Sequence, residues 1–256
     1  MARNVPDLAL FLDTMAGFCP TDPLTLDAPA IPFVEAVRTE RPPRRVAYAE
    51  TIGQSPVDKE TREICRAAMK TFEALGAAVE EIRIDIPDVE GTFLALRSQQ
   101  FVIDRELQLQ SHRDQIKPDI IWNTEIGLKQ SISDLAAAER SRTALYRQFA
   151  DLFNQYDLVV TPGANTPAFD VDLRHPEVIN GVKLEHYMAA STLTAAITLS
   201  ASPALSLPCG FDQYERPIGL QVVGRTRGEA ELLAACALYE RESGLAKQIP
   251  IDPRAG

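Results

Sequence analysis

Three histidines, His112, His175 and His186, are the side chains of this sequence best suited to moving a proton near neutral pH. His175 follows Asp170 and Asp172 and precedes Glu177, an Asp-x-Asp-x-x-His order that could offer ligands to a metal. That spacing matches no familiar ligand set, so a solvated acidic loop is the expectation, with no metal and no cofactor. His112, between Ser111 and Arg113, reads as an exposed helix end. His186, early in an apolar run, reads as a partly buried structural imidazole. A catalytic serine needs a strained turn and a base. No Gly-x-Ser-x-Gly occurs, and Ser243 and Lys247 are one residue too far apart for Ser-x-x-Lys. No Gly-x-Gly-x-x-Gly or phosphate loop is present, so nothing points to a nucleotide. Glu80 and Glu81 are neighbours on an expected strand and point to opposite faces, so they form no carboxylate pair. Cys19, Cys65, Cys209 and Cys236 include no Cys-x-x-Cys. Cys65 and Cys236 sit among apolar helical residues and read as small core side chains.

Composition narrows the class further. The 256 residues are 45% hydrophobic and 24% charged, which is globular and excludes wholesale disorder. No apolar run approaches the roughly 18 residues that span a bilayer, so no membrane partner is expected. The net charge of −10 disfavours a phosphate backbone, so no nucleic-acid partner is expected. The opening Met1-Ala2-Arg3-Asn4-Val5-Pro6 has no apolar signal core, so a cytoplasmic protein is the expectation.

The elements that must position any site follow from periodicity. Residues 7–16 read as a helix with almost no polar face: Leu8, Leu10, Phe11, Leu12 and Met15 fill it, and Gly17 ends it. Residues 45–49 read as a strand, 57–75 as a helix and 78–84 as a strand, a parallel crossover. Residues 91–113 read as helix, Lys117-Pro118 as an interruption, 132–156 as a long helix, and 157–160 as a buried strand ending in Thr161-Pro162-Gly163. Residues 164–180 read as loop and 184–199 as an apolar helix. Two strands follow, 203–208 and 217–224, joined by a loop over 209–216; a helix over 228–242 closes the chain. Ile218 to Val223 is nearly continuous in apolar residues, as in a strand buried on both faces. No repeat or linker appears, so a single α/β domain over 1–256 is the expectation.

Several stretches, in one order, carry a family resemblance. Asp157-Leu-Val-Val-Thr-Pro162, Ser202-Pro-Ala-Leu-Ser-Leu-Pro-Cys-Gly-Phe211, Pro217-Ile-Gly-Leu-Gln-Val-Val-Gly224 and the 228–240 helix resemble the C-terminal portion of the amidase signature family. Arg3 to Gly17 and Ile121-Trp-Asn-Thr-Glu-Ile-Gly127 are similar to segments of the same enzymes. The resemblance implies a mixed sheet flanked by helices in an α/β/α fold, and an amide C–N bond hydrolase. It also implies that the catalytic lysine, the cis-peptide serine and the nucleophilic serine belong to an N-terminal half that ends before Met1. No residue here inherits those roles, because no Gly/Ser-rich stretch occurs and Gly-Gly is absent. What the resemblance leaves to this chain is pocket wall. Thr161, Pro162 and Gly163 would shape the acyl side of the cleft, Trp122 and Asn123 would face it, and Thr198 would border it. Ala201 stands where many members have glycine and would narrow a pocket wall slightly. The chain is therefore expected to be inactive alone, as the C-terminal portion of an amidase. The alternatives are a non-catalytic binding module and one half of a split enzyme. A small amide substrate is expected only when the catalytic half is supplied, and exposed apolar surface is expected to drive self-association.

Overall fold

The computed structural model describes residues 1–245; Lys247 and the C-terminal end of the expected 1–256 domain lie outside them. Helix α1 (Val5–Met15) opens at Asn4, whose side chain accepts from the Asp7 N–H at 2.7 Å. Val5, Leu8, Ala9 and Leu12 turn one stripe of α1 to the core. Leu10, Phe11 and Met15 remain 57%, 48% and 59% exposed. Carboxylates hold both ends of this segment. Glu240 accepts from the Val5 N–H at 3.0 and 3.1 Å. Asp13 accepts from the N–H groups of Phe33 and Val34 at 2.7 and 2.9 Å and so starts the short helix α2 (Phe33–Ala36).

Strand β1 (Arg45–Tyr48) leads to helix α3 (Lys59–Ala74), which is N-capped by Asp58 and buries Thr61, Cys65, Met69 and Phe72 at helical spacing. Strand β2 (Ala78–Glu81) follows, then α4 (Val89–His112), α5 (Pro118–Lys129) and α6 (Ile132–Leu152). A reciprocal Ser131–Asp134 capping box starts α6. Strand β3 (Leu158–Pro162) precedes a small hairpin of β4 (Val178–Ile179) and β5 (Val182–Lys183). Helix α7 (Thr192–Leu199), strands β6 (Ala204–Phe211) and β7 (Pro217–Val223), and helix α8 (Glu229–Ser243) complete the described chain.

The main sheet has the order β2-β1-β3-β7-β6. β1 runs parallel to both β2 and β3, whereas β7 runs antiparallel to β3 and β6. Alternation along the strands sorts side chains to two sides. Val46, Tyr48, Val160, Leu205, Leu207, Leu220 and Val222 meet α1, α3 and α8 on one side. Ala47, Val159 and Val223 meet Leu145 and Phe149 of α6 and Leu193 and Ile197 of α7 on the other. Burying each large aliphatic side chain in these clusters contributes about 1.5–3 kcal/mol. The expected mixed α/β sheet flanked by helices is present, and β7 occupies the doubly covered position that its apolar run predicts.

Four local expectations change. Lys117-Pro118 starts a helix instead of interrupting one, because Pro118 sits in the first turn of α5, where its missing N–H costs nothing. The run over 184–199 is not one helix: the β4–β5 hairpin, turning at Asn180 and Gly181, ends at Lys183, and residues 184–186 continue it without helix. A 3-10 turn over Tyr187–Ser191 then leads into α7. The loop expected over 209–216 shrinks, because β6 continues through a bulge at Cys209 to Phe211. Asp212 then closes the turn by accepting from the N–H groups of Tyr214 and Arg216 at 3.0 and 2.8 Å. Finally, Ala201 is exposed and has φ of +52°. The departure from glycine at this position therefore acts on the backbone, since a left-handed L-residue costs roughly 1–2 kcal/mol. Ala201→Gly is expected to stabilise the chain by about 1 kcal/mol, raising the thermal midpoint by about 2–4 °C in a calorimetric scan; a lowered midpoint would contradict it.

Candidate functional site

β1, β2 and β3 are mutually parallel, so the loops leaving their carboxyl ends collect at one end of the sheet, the usual place for a ligand in an α/β fold. Thr161, Pro162 and Gly163 form the end of β3 and its exit. Thr161 alternates with Val160 and so shares the α6–α7 side with Val159, while Pro162 turns to the opposite side with Val160. Register places Thr161 beside Gln221 of β7 and Gln221 beside Ser206 of β6, one polar row across an otherwise apolar face. Gln221 Nε2 donates to Thr161 Oγ1 at 3.2 Å, and Thr161 Oγ1 donates to the Pro162 carbonyl at 3.0 Å. Thr161 and Gln221 are buried, but Ser206 is exposed together with Ala204 and Pro208, because the helical layer does not extend over β6. The Gly163 N–H donates to the Gly219 carbonyl at 2.7 Å. A Cβ at Gly163 would stand 3.0 Å from that oxygen, so the close backbone approach depends on glycine.

Two residues further on, Asn165 is buried and ties the exit loop to its neighbours. Its Nδ2 donates to the Pro56 carbonyl at 2.7 Å and reaches Thr192 Oγ1 at 3.4 Å; its own carbonyl accepts from the Asp58 N–H at 2.8 Å. Thr192 begins α7, and the turn before it carries His186 and Tyr187. Tyr187 Oη accepts from Asn123 Nδ2 at 2.7 Å, and the same Nδ2 donates to the Asp119 carbonyl at 2.7 Å. Asn123 is wholly buried, and its Oδ1 has no partner. The Trp122 ring packs on His186 and Tyr187, with centroids 5.2 and 5.8 Å away. His186 Nε2 lies 3.0 Å from Glu90 Oε1, which orients the imidazole. Glu90, Thr192, Pro56, Ser55 and Ile52 line a cleft of about 350 Å³ at this end of the sheet.

The segment 187–192 thus bridges the two groups of expected wall residues: Trp122 and Asn123 meet one end of it, and the loop after Thr161, Pro162 and Gly163 meets the other. Thr198 stands apart. It is exposed on α7 and its Oγ1 donates to the Thr194 carbonyl at 3.0 Å, the local bond a helical threonine commonly makes. His186 is partly buried, as expected of a structural imidazole. Gln221, Asn165, Tyr187 and Glu90 join the cluster without having been singled out from the sequence; only the Thr-Pro-Gly-Ala-Asn exit after a buried strand hints at Asn165. Among the described residues, no group of three or more His, Cys, Asp or Glu converges as a metal site would. The cluster offers an aromatic face, a buried amide oxygen and a hydroxyl–amide row. Among them no nucleophile is paired with a base.

The sequence matches the Amidase family over residues 1–233. The chain belongs to that family. An acylamidase from Rhodococcus erythropolis is 27% identical to this chain over 254 residues, 98% of the chain and 53% of that protein. A glutamyl-tRNA(Gln) amidotransferase component from Shouchella clausii is 27% identical over 277 residues, 98% of the chain and 56% of that protein. Among solved structures, a bacterial aryl acylamidase of the amidase signature enzymes superposes with a TM-score of 0.82 at 22% identity, covering 98% of the chain and 55% of its own. That likeness establishes the mixed sheet flanked by helices as the amidase signature architecture. The chain spans about half the length of the curated relatives it matches. Among the described residues, no helix is long and apolar enough to cross a membrane.

Proposed function

We propose that these 256 residues form the C-terminal scaffold and pocket wall of an amide-bond hydrolase and contribute none of its reacting groups. Thr161, Pro162 and Gly163 shape the acyl side of the cleft, Trp122 and Asn123 face it through segment 187–192, Thr198 takes no part, and the substrate is a small organic amide. The observation that carries this reading is the convergence of Trp122–Asn123 and the β3 exit on segment 187–192, at the carboxyl ends of three parallel strands. The uncovered side of β6, with Ala204, Ser206 and Pro208 exposed beside an unpaired strand edge, is where the catalytic portion of the fold seats. Leu10, Phe11, Met15 and Phe18 are bare apolar surface that drives the chain to self-associate when that portion is not supplied.

The test is a fusion. The portion of the Rhodococcus erythropolis acylamidase that lies outside the match is placed ahead of Met1, and the fused and unfused chains are compared. The fused chain is expected to hydrolyse acyl amides and to sediment as a smaller species than the unfused chain. In the fusion, Trp122→Ala is expected to raise KM about tenfold, equivalent to roughly 1.4 kcal/mol of lost binding, with little change in kcat. A folded fusion that hydrolyses nothing, or a Trp122→Ala fusion with unchanged KM, would sink the pocket-wall reading.

A further inference from the structure

Two cysteines that the proposed function does not use lie side by side. Cys65, on the buried face of α3, has its Sγ 3.9 Å from the Sγ of Cys209 on β6. The approach is built by two local features. Alternation after Leu205 and Leu207 puts Cys209 on the α3 side, and the β6 bulge at Cys209, between the register pairs Pro208–Gly219 and Gly210–Ile218, turns Gly210 toward α3 as well. Gly210 then lets the helix come close: a Cβ there would stand 2.9 Å from Ile64 Cγ2. The same helix is pinned to the turn after β6, where Glu60 Oε1 accepts from the Gln213 N–H at 2.9 Å. The helix and the strand are therefore already held at the right separation.

The structure assigns Cys65 and Cys209 as a peroxide-responsive thiol pair that closes to a disulfide joining α3 to β6. A disulfide needs its sulfurs about 2.05 Å apart, so each must move by roughly 1 Å, within reach of side-chain rotation and of the give in a bulge. Contact with Cys209 and burial push the Cys65 thiol up, which keeps it protonated. Cys209 is only half-buried and is the sulfur that an oxidant meets first. The Cys209 thiol gives up its proton and, as thiolate, attacks one oxygen of hydrogen peroxide; the O–O bond breaks to give a sulfenic acid and hydroxide, which takes up that proton to become water. The Cys65 sulfur then attacks the Cys209 sulfur and loses its proton; the S–O bond breaks, and hydroxide leaves as a second water. Two thiols and one peroxide thus become one disulfide and two waters. The bond closes a loop across 144 positions, long enough to restrict the unfolded chain strongly. Cys19 is exposed and distinct, and Cys236 is buried in α8.

The experiment uses the full chain with Cys19→Ser, which removes the exposed thiol and leaves three of the four cysteines. Hydrogen peroxide is expected to lower the intact mass by two hydrogen atoms and to cut titratable thiols from three to one. Digestion should yield a reducible Cys65–Cys209 peptide pair, and the melting midpoint should rise by several degrees and fall back with dithiothreitol. Adding Cys209→Ser should abolish both the mass loss and the shift. Peroxide that leaves the thiol count unchanged, or that adds oxygen to Cys209 with Cys65 still free, overturns the assignment. Should the Cys209→Ser chain not fold, the mass and thiol count of the Cys19→Ser chain decide alone.

Discussion

Purified by itself, the chain is expected to hydrolyse no amide and to take no label from a serine-directed fluorophosphonate. Several of its serine hydroxyls are committed to local bonds, and the buried Ser202 Oγ meets no base among the described residues. Ser98 donates to the Leu94 carbonyl inside α4, Ser200 to Ile197 at 2.7 Å, and Ser243 to Glu240 at 3.1 Å. Ser131 is spent on the α6 capping box. Ser111 alone meets an imidazole, His112 Nδ1 at 2.7 Å, on an exposed helix end with no carboxylate behind the ring among the described residues. None of these can hand its proton to an oriented base while donors hold the oxyanion, which an acyl-transfer nucleophile requires. Working hydrolases exceed the uncatalysed rate by about 10⁶-fold or more, so aniline release from an acyl anilide should sit at background. Intact mass after labelling reads the same point independently. A stoichiometric adduct on any serine would show that the chain carries its own nucleophile.

Gly127→Ala is expected to lower the thermal midpoint by about 4–8 °C, which is large for one added methyl group in a helix. On propensity alone the change should help, since glycine costs roughly 1 kcal/mol relative to alanine inside a helix. Packing opposes it. A Cβ at Gly127 would stand 2.6 Å from Val102 Cγ2 and would overlap the Ser98 carbonyl of α4. The second obstacle is backbone, so α5 must shift as a body, and overpacking of this kind costs typically about 1–3 kcal/mol or more. Ser98 is fully buried there and accepts from Gln130 Nε2 at 3.2 Å, a bond the displacement also strains. Packing therefore wins by roughly 2 kcal/mol. Trp122 is the one tryptophan of the chain and rides on α5, so its emission reports the displacement directly. An unchanged midpoint with unchanged emission would show that the α4–α5 contact is not tight.

Much of the scaffold could be read from residue order. The apolar run of β7 forecasts its central place, and the spacing of Ile64, Cys65, Ala68, Phe72 and Leu75 forecasts the inward face of α3, of which Cys65 and Phe72 are fully buried; Met69 joins that face without being forecast. Helix α5 escapes, because Pro118 looks like a breaker until its place in the first turn is known. The start of the 184–199 run escapes because residues 184–186 are irregular and Tyr187–Ser191 form a 3-10 turn, so helix α7 begins only at Thr192. For the candidate site, residue types are informative and partnerships are not. Trp122, Asn123 and Thr161 can be singled out from the sequence, but Tyr187 meets Asn123 across 64 positions and Thr192 meets Asn165 across 27. No periodicity encodes such pairs. The Thr161–Gln221–Ser206 row likewise exists only once the register of three strands is fixed.

The neighbour relation of β1 and β3 sets the timing of biogenesis. Asp157, just ahead of β3, accepts from the Arg45 N–H across 112 positions, and helices α3 to α6 lie between. A ribosome adding about 5–20 residues per second needs on the order of ten seconds to make that stretch. Throughout this delay the nascent β1–β2 pair has one flank without a hydrogen-bonding partner, and closing so long a loop is itself slow. Chaperone demand for this polypeptide should therefore peak during translation, before Asp157 emerges from the exit tunnel.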